Sequence, residues 1–178
     1  MGVPFVGRDL ELKALCGLVP AARRASGPTA ALVSGEPGSG KSRLLREVLR
    51  DADPDRTVLV AGFEPIESIP LAAMGHVIRR LATVPGHGAR LEALVFGSSD
   101  PRGQTGLPVF EAAHRAAREL GPLVIAVDDL QWLDAQSLAL LQYLVRAAET
   151  TRQPLAVIAA SRPDGAAARF EDVLANVL

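Results

Sequence analysis

Eight consecutive residues near the start of the chain combine the backbone freedom and the side chains needed to hold phosphate groups. The sequence GEPGSGKS, Gly35–Ser42, fits the pattern G-x-x-x-x-G-K-[ST]. Its glycines let the backbone wrap closely around phosphate oxygens, and the following helix adds a positive N-terminal end. We expect Lys41 to reach the β- and γ-phosphates of a nucleotide and the Ser42 hydroxyl to bind Mg²⁺. The predicted binding segment is Gly35, Glu36, Pro37, Gly38, Ser39, Gly40, Lys41, Ser42 and Arg43.

A plain glycine-rich turn between a strand and a helix is the structural alternative for this segment. The flanking sequence favours the phosphate loop, because the apolar run TAALVSG precedes it and the amphipathic run RLLREVLR follows it. Both elements are required to aim the loop backbone at a bound phosphate. A nucleotide-binding loop is therefore the prediction for Gly35–Ser42.

Two adjacent aspartates, Asp128 and Asp129, end the most apolar run of the chain, LVIAVDD. Buried carboxylates are costly, so a pair of them at the end of a strand needs a reason. Asp128 is predicted to hold Mg²⁺, usually through water, and Asp129 to polarise the attacking water as a catalytic residue with Lys41. The side chain of Asp129 is shorter than the glutamate often found at this position, so slow hydrolysis is expected. The alternative is that the pair caps a following helix.

The sequence Ala160-Ser161-Arg162-Pro163 follows the last apolar run and is predicted to form the tip of a strand. A polar residue at this tip is positioned to sense the γ-phosphate, with Arg162 the first candidate and Ser161 the second. A solvated loop arginine is the alternative for Arg162. Arg102, in a predicted loop, is a weaker candidate for an arginine that acts on a neighbouring subunit.

Strands alternating with helices position these residues. Buried strands are predicted at Thr29–Ser34, Thr57–Ala61, Leu123–Asp128 and Leu155–Ala160. Strands that are apolar throughout and alternate with helices indicate an α/β fold: a three-layer α/β/α sandwich around a mainly parallel sheet. Six helices are predicted. The first is ended by Pro20 and the Ser26-Gly27-Pro28 cluster, the second is the run RLLREVLR, and the third is opened by Pro70. The remaining three are Pro108–Leu120, Ala135–Glu149 and Ala166–Leu178. Most of the stretch from Pro85 to Gly106 is predicted to be loop.

Composition restricts the possible functions. The chain has 178 residues, 48% of them hydrophobic, and a net charge of −1, which fits one domain and argues against direct nucleic-acid binding. The single cysteine, Cys16, is predicted to be a core residue of the first helix, in a reduced, cytoplasmic setting. The segment MGVPFVGRD is not expected to be a signal peptide, and no apolar run of membrane-spanning length is predicted in residues 1–178. His76, His87 and His114 show no metal-ligand spacing.

Four segments together resemble a known family. The four segments are FVGRDLELKAL, GEPGSGKSRLL, LVIAVDDLQWLDAQSLALLQYL and IAASRPD. They are similar to the P-loop ATPase module of LuxR-family bacterial transcriptional regulators, which is of the AAA and signal-transduction ATPase type and is related to MalT-like and Orc1-like modules. The resemblance covers Phe5 to Asp164 and is weakest over 64–106. It implies ATP and Mg²⁺ as ligands, and it places Val6, Gly7 and Arg8 near the nucleotide base. Trp132 is expected to be a packing residue.

The resemblance also implies parts that residues 1–178 do not supply. The family continues into a fifth strand, a helical lid, a sensor region and a DNA-binding domain. The resemblance places the fourth strand between the first and third, so Thr29–Ser34 is expected at an edge of the sheet. That edge carries no charge, and pairing with another chain is expected there. The residues are therefore interpreted as an ATPase domain that is incomplete at its C-terminus.

Three functions are compatible with the residues. The first is an ATP-binding, slowly hydrolysing switch in a larger signal-responsive transcriptional regulator. The second is a nucleotide-binding interaction module without turnover, and the third is a small-molecule kinase. A transporter ATPase is disfavoured because no Leu-Ser-Gly-Gly-Gln stretch occurs. The N-K-x-D motif that reads guanine is also missing from the sequence, and the preference for ATP over GTP rests largely on the family resemblance.

Overall fold

A computed structural model shows a parallel sheet between two layers of helices. It describes residues 8–24, 27–62, 69–97, 106–163, 165, 167, 168 and 170–172. The strands are β1 (Pro28–Ser34), β2 (Thr57–Ala61), β3 (Leu123–Asp128) and β4 (Leu155–Ser161). The helices are α1 (Asp9–Arg24), α2 (Lys41–Val48), α3 (Gly75–Ala82), α4 (His87–Phe96), α5 (Leu107–Leu120) and α6 (Ala135–Thr151). A 3₁₀ turn, Leu130–Trp132, follows β3.

The described strands pair in the order β1-β4-β3-β2, and every pairing is parallel. The expected α/β class and the expected position of the fourth strand are both confirmed. β4 is buried along its whole length, since it has a strand on each side and helices on both faces. β1 lies at one edge of the described sheet and is only partly buried over residues 29–33.

Alternating side chains of the central strands face two separate helical layers, as the two-residue period of a strand requires. Ile125, Val127 and Val157 belong to the larger core, which includes buried residues of α3, α4, α5 and α6. Ala126 and Ile158 belong to the smaller core, with buried residues of α1 and α2. The three-layer arrangement follows directly from this division.

The first helix differs from the sequence prediction in two respects. Pro20 does not end α1, which continues through it to Arg24. A proline inside a helix removes one hydrogen bond, but Leu18 and Val19 pack against the smaller core and hold this turn in place. The prediction that Cys16 is a core residue is wrong, because its side chain is exposed. Cys16 lies beside the buried Leu15, at the margin of the apolar stripe of α1.

The stretch from Pro85 to Gly106 contains a helix, α4, where the sequence predicts mostly loop. Its Leu91 is fully buried in the larger core. Gly88, which reads as a loop signal, instead allows close packing: a β-carbon there would lie 2.6 Å from the carbonyl oxygen of Leu81 and 2.5 Å from that of Ala82. Tertiary contact with the end of α3 therefore explains a glycine inside this helix.

The helix predicted to open at Pro70 begins later, at Gly75. Residues 70–74 form turns instead, and Leu71 has a positive φ of 62°, which an α-helix cannot contain.

In the predicted C-terminal helix, the described residues 167, 168 and 170–172 are helical, and Phe170 is fully buried. Within the described part of the chain, no helix is both long and apolar enough to cross a membrane.

Candidate functional site

Three strands bring their carboxyl ends to one edge of the sheet. β1 leads into the loop at Gly35, β3 ends at Asp128, and β4 ends between them at Ser161. The amide of Gly35 donates a hydrogen bond to the carbonyl oxygen of Ser161 over 3.3 Å. In open parallel sheets, ligands bind outside this edge, and the predicted phosphate loop and acidic pair meet here.

The loop between β1 and α2 turns through residues in the left-handed backbone region. Gly38 has a φ of 78°, and Gly40, which precedes the first residue of α2, has a φ of 86°. Such angles are strained for residues with a β-carbon. The amide of Ser39 donates to the carbonyl oxygen of Glu36 over 3.2 Å, closing the turn. Gly40 of the motif, together with Gly38 at one of its variable positions, thus shapes the loop and directs it into the N-terminus of α2.

Lys41 is the first residue of α2, and its side chain folds back across the loop. Its Nζ donates to the carbonyl oxygen of Gly35 over 2.6 Å and to that of Glu36 over 2.9 Å. The residue is 7% exposed. A buried ammonium group is costly unless polar partners surround it, and the two carbonyls supply this here. The positive charge is therefore held inside the curve of the loop.

The side chains of Ser42 and Asp128 are in direct contact. The Ser42 hydroxyl donates to Oδ1 of Asp128 over 3.0 Å, although one residue belongs to α2 and the other to β3. The carbonyl oxygen of Asp128 also accepts from the amide of Gly62 over 2.8 Å, at the end of β2. A hydroxyl and a carboxylate oxygen thus converge at the start of α2.

Asp129 adopts a left-handed conformation, with φ 55° and ψ 54°, immediately after β3. Its carboxylate accepts a hydrogen bond from Nε2 of Gln131 over 2.8 Å. A β-carbon on Gly62 would lie 2.2 Å from the carbonyl oxygen of Asp129, so the backbone of this turn requires a glycine beside it. Asp129 makes no side-chain cap bond to the 3₁₀ turn that follows.

The cap of α6 is Asp134, and neither Asp128 nor Asp129 fills that position. Oδ1 of Asp134 accepts from the amide of Ser137 over 2.9 Å, and its Oδ2 accepts from the Ser137 hydroxyl over 2.6 Å. The same carboxylate accepts from the amides of Leu71 at 3.0 Å and Ala73 at 3.3 Å. Asp134 therefore joins the turn before α3 to the start of α6, which explains why residues 70–74 are not helical.

The tip of β4 contacts the turn after β3 through Gln131. Oε1 of Gln131 accepts from the Ser161 hydroxyl and from the amide of Arg162, each over 3.1 Å. The guanidinium of Arg162 lies over the Trp132 ring, 5.7 Å from its centroid. The sequence singles out Arg162 and Ser161, but it does not reveal that Gln131 connects them to Asp129. The signal was its position two residues after the acidic pair.

The remaining candidates are less well placed or lie outside the described residues. Arg8 lines a shallow cavity of about 320 Å³ with Glu11 of α1 and with the end of β1. Val6, Gly7 and Arg102 fall outside the part of the chain that the structure describes. Over that same part, no group of three or more His, Cys, Asp or Glu side chains could hold a metal ion.

The parallel sheet, the loop after β1 and the acid at the end of β3 define the fold as that of a P-loop NTPase. The family model for the AAA ATPase domain matches residues 4–158. The chain belongs to this family, and membership implies nucleotide binding.

Two similar proteins extend the comparison. An uncharacterized protein of Rhizobium meliloti (strain 1021) is 28% identical over 197 residues, an alignment that covers 92% of this chain and 19% of the relative. The chain thus spans about a fifth of the relative's length. A Walker-type ATPase of Pyrococcus abyssi aligns with a TM-score of 0.49 at 20% identity, over 96% of this chain and 48% of the other.

Proposed function

We propose that this domain binds Mg²⁺ and ATP at Gly35–Ser42, hydrolyses the ATP slowly, and serves as the switch of a larger signal-responsive transcriptional regulator. The observation that carries the proposal is the hydrogen bond between Ser42 and Asp128. It brings a loop hydroxyl to the acid of a different strand, at the edge where nucleotides bind in such sheets.

The donor atoms fit a magnesium ion. Mg²⁺ prefers oxygen ligands, and the Ser42 hydroxyl and the Asp128 carboxylate bring two such groups within 3.0 Å of each other. The Ser42 hydroxyl would bind the ion directly, and Asp128 would hold it through a bound water. When bound, the ion neutralises charge on the phosphates.

The loop also fits a phosphate. Ser39 Oγ is buried and has no hydrogen-bond partner among the described residues, and buried hydroxyls are normally paired. A phosphate oxygen would accept from it. Lys41 would exchange its two carbonyl partners for the β- and γ-phosphates, and the first amides of α2 would add further donors. Arg8 and the two residues before it are proposed to approach the base.

In this proposal Asp129 orients the attacking water, and Arg162 or Ser161 contacts the γ-phosphate. Asp129 is held by Gln131, and it has one methylene fewer than glutamate, so turnover is slow. The hydrogen bond from Gln131 to Asp129 also favours the second candidate, a nucleotide-binding interaction module that does not hydrolyse its nucleotide. From the family resemblance we further propose that residues 1–178 are one ATPase domain of a longer, cytoplasmic protein with sensor and DNA-binding domains. The relative of which the chain covers 19% is itself much longer than this chain.

A phosphate-release assay with and without small-molecule acceptors tests the proposal. We expect slow release that needs Mg²⁺ and is independent of acceptors. Asp129→Asn should retain ATP and lose hydrolysis, because the amide keeps the shape but not the basic oxygen. Phosphate transfer to an acceptor would establish a kinase instead. Binding without release in the parent chain would favour the interaction module.

A further inference from the structure

The carboxamide of Gln131 lies between the two parts of the site that act on the γ-phosphate in the proposed function. Its Nε2 donates to Asp129, and its Oε1 accepts from Ser161 and from the amide of Arg162. The chemistry fixes this orientation. A backbone amide can only donate, and an ionised carboxylate can only accept. A flipped carboxamide would therefore place its NH₂ group against the amide of Arg162 and its oxygen against the carboxylate of Asp129.

The turn that carries Gln131 has little freedom to move alone. The amide of Trp132 donates to the carbonyl oxygen of Asp129 over 2.9 Å, and the Trp132 ring lies under the guanidinium of Arg162. On the β2 side, the backbone of Asp129 lies so close to Gly62 that a β-carbon would clash with it. The turn is therefore braced against β2 and linked to β4 by side chains.

A phosphate oxygen at the tip of β4 would compete for these links. The Ser161 hydroxyl has a single proton to donate, so it cannot donate to Gln131 and to a phosphate oxygen at once. Ser161 is fully buried, so a phosphate oxygen would reach it only if neighbouring side chains moved aside. Similarly, the guanidinium of Arg162 can contact either the Trp132 ring or an anion, and binding an anion would weaken its contact with the ring. A γ-phosphate bound here would therefore weaken the hydrogen bonds between β4 and Gln131, and ADP, which has no γ-phosphate, would not.

We propose that Gln131 is a positioning residue that couples the Asp129 carboxylate to the tip of β4, so that contact with a γ-phosphate at Ser161 or Arg162 reorients Asp129. The inference rests on the proposed function and deepens it, since it names how the site distinguishes ATP from ADP. Gln131 acts through Asp129 and does not itself touch the nucleotide.

The only tryptophan of the chain, Trp132, reports on this coupling. Its fluorescence is followed during titration with Mg²⁺–ATP and Mg²⁺–ADP, and affinity is measured separately by the anisotropy of a fluorescent ATP analogue. In the parent chain, ATP should change the emission more than ADP does. Gln131→Met, which keeps the length and removes both polar ends, should reduce that difference to the part caused by Arg162 leaving the Trp132 ring. It should also lower kcat about tenfold, with KM changed less than about threefold.

Two further variants separate the two ends of the carboxamide. Gln131→Glu keeps an acceptor for Ser161 and Arg162 but places a carboxylate against Asp129, so it should lower kcat while retaining the ATP–ADP difference. Ser161→Ala should reduce the difference, because only the Arg162 amide then links β4 to Gln131. Combining it with Gln131→Met should add nothing to the effect of Gln131→Met alone. Gln142→Met, on α6, is the matched control and should resemble the parent chain.

The possible failures are distinguishable. If the parent chain does not bind the ATP analogue, both the proposed function and this inference fail. If Gln131→Met binds the analogue and retains the parental ATP–ADP difference and kcat, the coupling alone is refuted. Full additivity of Gln131→Met and Ser161→Ala would also refute it. If Gln131→Met does not fold, as judged by circular dichroism, Gln131→Glu and Ser161→Ala decide the question.

Discussion

Ser42 and Asp128 are joined by a hydrogen bond of 3.0 Å although 86 positions separate them in the chain. β1 and β3 are not neighbours in the sheet, because β4 lies between them. The bond therefore spans the central strand and is a direct side-chain link between the loop and the acidic strand.

This link predicts a shared effect on magnesium. Ser42→Ala and Asp128→Asn should each weaken ATP binding about tenfold in the presence of Mg²⁺, and the double variant should lose less than the sum of the two. Calorimetric titration with Mg²⁺ and with EDTA measures both effects. Thr150→Ala, at the exposed C-terminal end of α6, is the control. Equal affinity of all variants with and without Mg²⁺ would exclude a metal site here.

Lys41→Ala should weaken binding of a fluorescent ATP analogue by roughly 10- to 150-fold, since a charge-assisted contact contributes about 1.5–3 kcal/mol. The chain offers a matched control in Lys13→Ala, because Lys13 is an exposed residue of α1. Anisotropy titrations of both variants give the ratio. An unchanged dissociation constant for Lys41→Ala would remove Gly35–Ser42 as the nucleotide site.

Asp134→Ala should destabilise the fold by about 2–4 kcal/mol, because it removes a helix cap and leaves the amides of Leu71 and Ala73 unpaired. Asp134→Asn should cost less, since asparagine caps helices well but has only one accepting oxygen. Urea denaturation measures each free energy of unfolding. Asp51→Ala, in the exposed turn after α2, is the control. A loss below about 0.5 kcal/mol for Asp134→Ala would mean that water replaces these contacts.

His114 predicts a loss of stability in mild acid. Burial, and then the charges of Arg118 and Arg115, lower the pKa of His114 below 6.5. The α6 residues around it are Tyr143, Arg146 and Thr151, and Thr151 Oγ1 lies 3.3 Å from its Nε2. The unfolded chain binds this proton more readily, so the contribution of His114 to stability is constant above pH 6.5 and falls as the pH drops from there toward the lowered pKa.

Urea denaturation between pH 5 and pH 8 checks this pH dependence, with His114→Gln expected to flatten the curve. The control is Lys13→Ala on the exposed side of α1, which leaves His114 and its neighbours in place and should keep the pH dependence. A parent chain whose stability rises on acidification to pH 5.5 would contradict the prediction.

The partly buried edge strand β1 predicts rapid amide exchange and self-association. Half of the N–H groups of an edge strand point away from its single partner, so these amides of β1 should exchange at least about 100-fold faster than those of β4. Raising the protein concentration should protect them and increase light scattering. Slow exchange of all β1 amides in a monomer would show that another part of the chain covers this edge.

Local patterns were sufficient to predict the phosphate loop, the four strands and the fold class. Each depends on residues close together in sequence, such as the glycines of the loop or the five apolar residues before Asp128. The order of the strands came from the family resemblance, and the structure agrees with it. The roles of the site residues remain predictions that the variants above test.

Contacts between distant segments explain what the sequence did not reveal. Gly88 resembles a loop residue until the carbonyls of α3 are seen beside it. Gln131 and Asp134 have ordinary side chains in a turn, and their importance comes from partners about 30 and 60 positions away. No local pattern records such partners.

The central position of β4 has a consequence for how the protein is made. β4 is the last described strand to leave the ribosome, and it must insert between two strands that have already been synthesised. Until residues 155–161 emerge, β1 lacks its partner among the described strands, and nothing yet holds the loop that carries Ser42 in place beside β3. Assembly of the site therefore comes late in biosynthesis, and a nascent chain stalled before Leu155 would leave the first strand as an exposed apolar segment for chaperones to hold.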